Sequence, residues 1–327
     1  MNPILEVKDL HVNFLSRHGA VTAVSGVDFT LKQGEILGIV GESGCGKSAM
    51  AKALTKLLPK KSVQLKGNVL FNNQDLLQAS ESSLESIRGK EIGMIFQDPM
   101  TSLNPTLKIG AQIIEGYLKH NPKTSQKQAF DYAIELLRSV GISHPEERIF
   151  DYPHTLSGGM RQKATIALAL APKPKLIIAD EPTTALDVTI QTQILSLMKT
   201  FQESQGSSIL LITHDLSVVA GFCDRVIVMY AGKIVESAPV EELFYFPKHP
   251  YTQRLLQTIP RVDLPKNHPL IPIEGSPPLL NKAMTGCAFH SRCLEAMVIC
   301  KEQIPALKQV TNGCYSRCWL HEKEKSL

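Results

Sequence analysis

The stretch GESGCGKS, residues 41–48, follows an apolar run ending at Val40 and carries three glycines and one lysine in eight positions. It fits G-x-x-x-x-G-K-[ST], and its context agrees: a strand expected over Ile36 to Val40 before it and a helix expected over SAMAKALTKLL after it. Glycines let successive backbone N–H groups curl around phosphate oxygens, and a helix N-terminus adds a favourable dipole. In such a loop Gly41, Glu42, Ser43, Gly44, Cys45 and Gly46 surround the phosphates. Lys47 pairs with the β- and γ-phosphates, and Ser48 ligates Mg²⁺. The expectation is an α/β fold that binds a nucleoside triphosphate.

Working outward, EILGIV, KLIIAD and SILLIT are short, nearly continuous apolar runs, the pattern of strands buried on both faces of a parallel sheet. Earlier, Val27, Phe29 and Leu31 alternate with Asp28, Thr30 and Lys32, as half-buried antiparallel strands do. Over residues 104–153 the period becomes helical, with Phe130, Ala133, Ile134, Leu137 and Val140 on one face and Gly141 as a C-cap. After residue 246 the composition shifts, with eight prolines between Pro247 and Pro278, which places a boundary there.

KLIIAD runs into EP, so Asp180 and Glu181 end a buried strand. Asp180 is suited to the Mg²⁺ shell, and Glu181 to polarising the water that attacks the γ-phosphate. LSGGMRQK, residues 156–163, opens an alanine-rich helix with Ser157 as a natural N-cap.

These motifs, in this order, resemble the ATP-binding cassette (ABC) ATPases over about residues 4–245: Walker A in GESGCGKS, the signature in LSGGM and Walker B in KLIIADE. The glutamine loop corresponds to FQDP with Gln97, the D-loop to TALD with Asp187 and the switch histidine to THD with His214. The resemblance implies a P-loop NTPase core with an antiparallel β subdomain, and a helical subdomain at about 98–165. It also implies a head-to-tail dimer in which Ser157, Gly158 and Gly159 serve a nucleotide held mainly by the partner. Gln97 would touch Mg²⁺ and the attacking water, His214 would contact the γ-phosphate, and Phe14 is the candidate for stacking on adenine. Met160 stands where many members carry glutamine, and backbone groups and Ser157 make the main contacts there.

The strings IFQDPMTSLNPTLKIG, DEPTTALDVTIQ, HPYTQRLL and GCAFHSRC are similar to the ATP-binding subunits of bacterial dipeptide and oligopeptide importers, a subfamily that includes nickel importers. That likeness implies two integral-membrane permeases as partners, docked over the stretch from Gln97 to Pro105 and the helical insert. It also implies a paralogous ATPase subunit in a heterodimer, an extracytoplasmic substrate-binding protein, and a place on the cytoplasmic face of the inner membrane. A nucleotide-binding domain over 1–246 and a C-terminal extension over 247–327 follow. With 35 Lys+Arg against 31 Asp+Glu the net charge is only +4, which gives nucleic acid no electrostatic footprint. The N-terminus reads as mature protein, and every apolar run falls short of a membrane span.

Five of seven cysteines lie in the last 41 residues. In a reducing compartment that clustering favours metal binding over disulfides. The order Cys287, Cys293, Cys300, Cys318 resembles the subfamily's pattern for a [4Fe–4S] cluster, with Cys314 a fifth thiol. The absence of C-x₂-C knuckles argues for iron and sulfur over zinc.

Overall fold

The computed structural model describes residues 3–16, 19–184, 186–259, 272–278, 280 and 284–322. Among them are twelve strands: β1 (Pro3–Ser16), β2 (Gly19–Lys32), β3 (Ile36–Val40), β4 (Val63–Phe71), β5 (Gln74–Asp75), β6 (Ile92–Ile95), β7 (Leu176–Asp180), β8 (Ser208–Ile212), β9 (Arg225–Tyr230), β10 (Lys233–Pro239), β11 (Lys308–Thr311) and β12 (Cys314–Ser316). The chain divides into two compact units.

One unit comprises Leu5–Leu31, Ile36–Gln78 and the described residues from Ile212 onward. Its first sheet runs β2-β1-β4-β5, with Leu5 opposite Phe71 and Phe14 opposite Val63 in an antiparallel β1–β4 pair. Val27, Phe29 and Leu31 are buried, while Asp28 and Lys32 are exposed, as the alternation predicts. In its second sheet β3 pairs parallel with β9, β9 antiparallel with β10, and β10 antiparallel with β12, which β11 flanks. All five residues of β3 are buried, which suits a strand covered on both faces. The helix after the P-loop, Lys47–Leu54, stops earlier than SAMAKALTKLL suggests. Lys56 takes a left-handed φ of 54°, and Leu57 N–H donates back to Lys52 O at 2.8 Å, a Schellman-type end made without glycine.

The other unit contains Ala79–Leu211 together with Lys32–Glu35. Its strands run β8-β7-β6, with β6 and β7 parallel. Helices Ile109–His120, Gln126–Ser139 and Gly158–Leu170 enclose a core that includes Leu103, Ile113, Ala133, Leu137, Val140 and Ala167. Phe130 and Ile134 only flank this core. Ser125 and Gln128 form a capping box at the start of Gln126–Ser139. At its end Gly141 has φ +73°, and Ile142 N–H donates to Leu137 O, closing the helix as the sequence suggests.

Candidate functional site

The P-loop leaves the end of β3 and feeds the helix Lys47–Leu54. Two of its glycines are demanded by close backbone approaches. A Cβ on Gly41 would lie 2.2 Å from Met229 O, and one on Gly46, at φ +105°, would lie 2.1 Å from Ala23 O. Gly44 has φ +79° but open space around it. The loop is thus pressed onto neighbouring backbone at both ends and bare at its crown, where Ser43 and Gly44 are exposed. Lys47 is only 4% exposed, and its ammonium donates to Gly41 O at 2.7 Å and Glu42 O at 3.0 Å. Cys45 is buried beside it; burial pushes that thiol up while the Lys47 charge pulls it down.

Glu42 is held from three sides. Its N–H donates to Tyr251 Oη at 3.0 Å, its carbonyl accepts from Lys47, and its carboxylate takes two bonds from Arg292, at 2.6 and 2.9 Å. Neither Tyr251 nor Arg292 stands out in the sequence except inside the quoted strings HPYTQRLL and GCAFHSRC. His214, in the same unit, is exposed just before the helix Leu216–Phe222, which Asp215 caps by accepting from Ser217 N–H at 2.9 Å. Phe14 is half-buried in β1.

In the other unit β7 delivers Asp180, 2% exposed, and Glu181, 9% exposed, to its C-terminal end. Glu181 adopts φ +51°, a left-handed conformation that costs a non-glycine residue about 1–3 kcal/mol. Its Oε2 accepts from Gln97 Nε2 and from Thr184 Oγ1, each at 2.9 Å. Gln97, which follows β6, and Glu181, which follows β7, are therefore brought together across 84 residues of chain. Thr184 has no distinguishing signal in the sequence.

Ser157 caps Gly158–Leu170, its hydroxyl accepting from Met160 N–H at 3.3 Å. Ser157 and Gly158 are exposed. One turn on, the buried Gln162 Nε2 donates to Pro182 O at 2.6 Å, tying the signature helix to the loop beside Glu181. Asp187 caps the helix Val188–Gln205 by accepting from Ile190 N–H at 2.9 Å.

Of the five C-terminal cysteines, Cys314 lies buried in β12. Cys287 N–H donates to Cys300 O at 2.8 Å, placing those two side by side. Burial is the main cause that pushes the Cys318 thiol up to about 11, with Cys287, Cys293 and Cys300 contributing to the rise. Among the described residues, no group of three or more His, Cys, Asp or Glu is placed to hold a metal ion. Nor is any described helix long and apolar enough to cross a membrane.

Comparison with known proteins carries these arrangements further. Residues 24–184 match the family model "ABC transporter", and residues 235–300 match "Oligopeptide/dipeptide transporter, C-terminal region". The chain is 52% identical over 318 residues to the oligopeptide transport ATP-binding protein OppD of Bacillus subtilis, covering 97% of this chain and 88% of that protein. This chain belongs to the ATP-binding subunits of ABC transporters. It is also 51% identical over 317 residues to the dipeptide transport ATP-binding protein DppD of Lactococcus lactis, covering 97% and 90% of the two chains. Among solved structures, the dimeric bacterial ABC transporter cassette MJ0796 aligns with a TM-score of 0.66 at 28% identity, covering 72% of this chain and 98% of that one. As a member of this family the chain is an ATPase with the cassette fold.

Proposed function

We propose that this chain binds and hydrolyses Mg·ATP to energise import of dipeptides or oligopeptides through two membrane permease subunits. The observation that carries the substrate class is the match to the peptide-transporter C-terminal region, together with relatives named for peptide transport that are similar over nearly the full length. Lys47 extends its ammonium to the β- and γ-phosphates while resting on its loop carbonyls, and the loop amides and the helix N-terminus hold the remaining oxygens. Ser48, Asp180 and Gln97 are the residues to hold Mg²⁺, which neutralises charge on the phosphates when bound.

Glu181 polarises the attacking water, and Gln97, hydrogen-bonded to it, orients both. His214 contacts the γ-phosphate, Phe14 stacks on adenine, and Asp187 of the D-loop belongs to the nucleotide-binding set. Ser157, Gly158 and Gly159 reach across to the nucleotide of a paralogous subunit, which their exposure supports for the first two. The permeases dock near Gln97 to Pro105, where Met100 is 53% exposed, on the cytoplasmic face of the membrane. Residues 247–327 form an extension to the cassette of 1–246. A [4Fe–4S] cluster on Cys287, Cys293, Cys300 and Cys318 is proposed from the order of these cysteines in the sequence, and the Cys287–Cys300 backbone bond brings two of them together.

The test is reconstitution with two permease subunits and a substrate-binding protein of a peptide importer, reading ATP hydrolysis with and without di- to pentapeptides. Peptide-stimulated hydrolysis is expected. Hydrolysis stimulated by nickel and not by any peptide refutes the substrate class. Anaerobically purified protein should be brown and contain roughly four irons per chain if the cluster forms. Colourless, iron-free protein removes it.

A further inference from the structure

Arg292 lies 250 residues from Glu42 in the chain, yet its side chain is only 3% exposed, and every guanidinium N–H has an acceptor. Nη1 donates to Glu42 Oε2 at 2.6 Å and Tyr230 Oη at 3.2 Å. Nη2 donates to Glu42 Oε1 at 2.9 Å and Ile273 O at 3.1 Å, and Nε to Glu274 O at 2.9 Å. Five donors, five acceptors: a buried cation in this state is costly to disturb, because its fork matches a carboxylate in both spacing and charge. Around it, Tyr230, Tyr251 and Phe289 are almost fully buried and pack with ring centroids 4.6–5.3 Å apart. Arg292 itself lies 5.8 Å from the Tyr230 ring centroid.

What this assembly grips is the second residue of the P-loop. Tyr251 takes the Glu42 N–H, Arg292 takes its carboxylate, and the remaining polar group, the carbonyl, accepts from Lys47. With residue 42 fixed at its other two points, that carbonyl is a rigid rest for the Lys47 ammonium. Tyr251 comes from the helix Pro250–Gln257 and Arg292 from the segment beside Cys293, so both grips come from beyond residue 246. The sequence divides the chain there, but the hydrogen bonding carries the C-terminal region into the P-loop.

We infer that Arg292 and Tyr251 are positioning residues for ATP, acting through Glu42 to set the P-loop and Lys47, so that the C-terminal region helps determine nucleotide affinity. This rests on the reading that Lys47 and its loop bind ATP. Neither residue touches the nucleotide in this scheme; loosening them lets the loop backbone and the ammonium wander from the geometry the phosphates need.

The experiment measures ATP affinity by equilibrium titration with a fluorescent ATP analogue, KM and kcat in the reconstituted transporter, and thermal melting. The variants are Arg292→Gln, Arg292→Lys, Tyr251→Phe, Glu42→Gln and the double variant Arg292→Gln/Glu42→Gln. Arg292→Gln should weaken ATP binding and raise KM by roughly tenfold, the scale on which losing an outer-shell partner loosens a site. kcat at saturating ATP should stay within about twofold, since the reacting groups are untouched. Tyr251→Phe removes one oxygen from the packed rings and serves if Arg292→Gln does not fold; it should raise KM in the same direction. The double variant should bind no worse than the poorer single variant, because the two act through one pair. Lowered melting temperatures with KM and affinity unchanged overturn the inference, as do independent, multiplying effects of Arg292→Gln and Glu42→Gln. Wild-type chain that binds no ATP, or binds it as well with Lys47→Ala, overturns the underlying reading instead.

Discussion

Replacing Glu181 by Gln isolates one charge at the site. In the structure Oε2 accepts from Gln97 Nε2 and Thr184 Oγ1, both at 2.9 Å, and a glutamine amide can present its own oxygen to the same two donors. Size and shape are kept, and so is the left-handed backbone at φ +51°, which glutamine tolerates no worse than glutamate. What changes is that two charge-assisted bonds become neutral ones, a loss of about 1 kcal/mol each. That loss is offset in part because a carboxylate only 9% exposed no longer has to be desolvated. Folding stability should therefore move by no more than about 1–2 kcal/mol, within a few degrees of melting temperature for a chain of this size. Turnover should fall far more, by about 10²–10⁴-fold, because the amide cannot take a proton from the attacking water. The assay is steady-state phosphate release by the complete transporter, beside equilibrium ATP binding. Turnover within about threefold of wild type, in a variant that binds ATP and melts normally, would falsify the role given to Glu181.

Further expectations separate the parts of the site. Lys47→Ala should weaken ATP binding by the isolated chain, whereas Ser157→Arg should spare it and block dimer formation in a chromatographic assay; equal loss of binding in both would contradict their assignment to opposite faces of the nucleotide. Gly46→Ala, whose Cβ would meet Ala23 O at 2.1 Å, should destabilise the chain by more than about 3 kcal/mol, and Gly44→Ala, with open space, by only about 1–2 kcal/mol; denaturant melts of similar midpoint would refute the difference. His249 is fully buried, and burial holds its imidazole down to about 3, so the folded state disfavours the charged ring. Its contribution is complete above the unfolded value of about 6.5 and is lost as pH falls from there toward 3, at up to about 1.4 kcal/mol per pH unit. His249→Asn should be less stable at pH 7 but show a flatter decline between pH 6.5 and 5; parallel declines would exclude His249 as the cause.

Much of this was legible because it is local. The P-loop, the buried strands and the caps at Ser157 and Gly141 are each specified within a few residues, by spacing, by apolar runs and by side chains that bond their own helix starts. Even there tertiary context intervened: Lys56 ends the first helix without a glycine, and Phe130 and Ile134 flank the helical core. The left-handed backbone at Glu181 carries no signal at all, since glutamate is an ordinary residue for a turn and only the surrounding structure imposes that φ.

The contacts that escaped a linear reading are those whose two halves lie far apart. Gln162 reads as one polar residue on a helix until Pro182 O appears 2.6 Å away. The C-terminal cysteines draw attention by their number and pattern, but the residue between them that reaches the nucleotide loop is an arginine, unremarkable in a chain with 35 basic side chains. Glu42 is equally silent, because P-loops leave that position variable. The pairing of the two in a buried, fully bonded arrangement is what marks Arg292 out. The pairing also carries a consequence for how the chain is divided: truncation near residue 246 would remove both Tyr251 and Arg292 and leave the Glu42 carboxylate without its guanidinium, so the P-loop of a bare cassette would differ from that of the full chain.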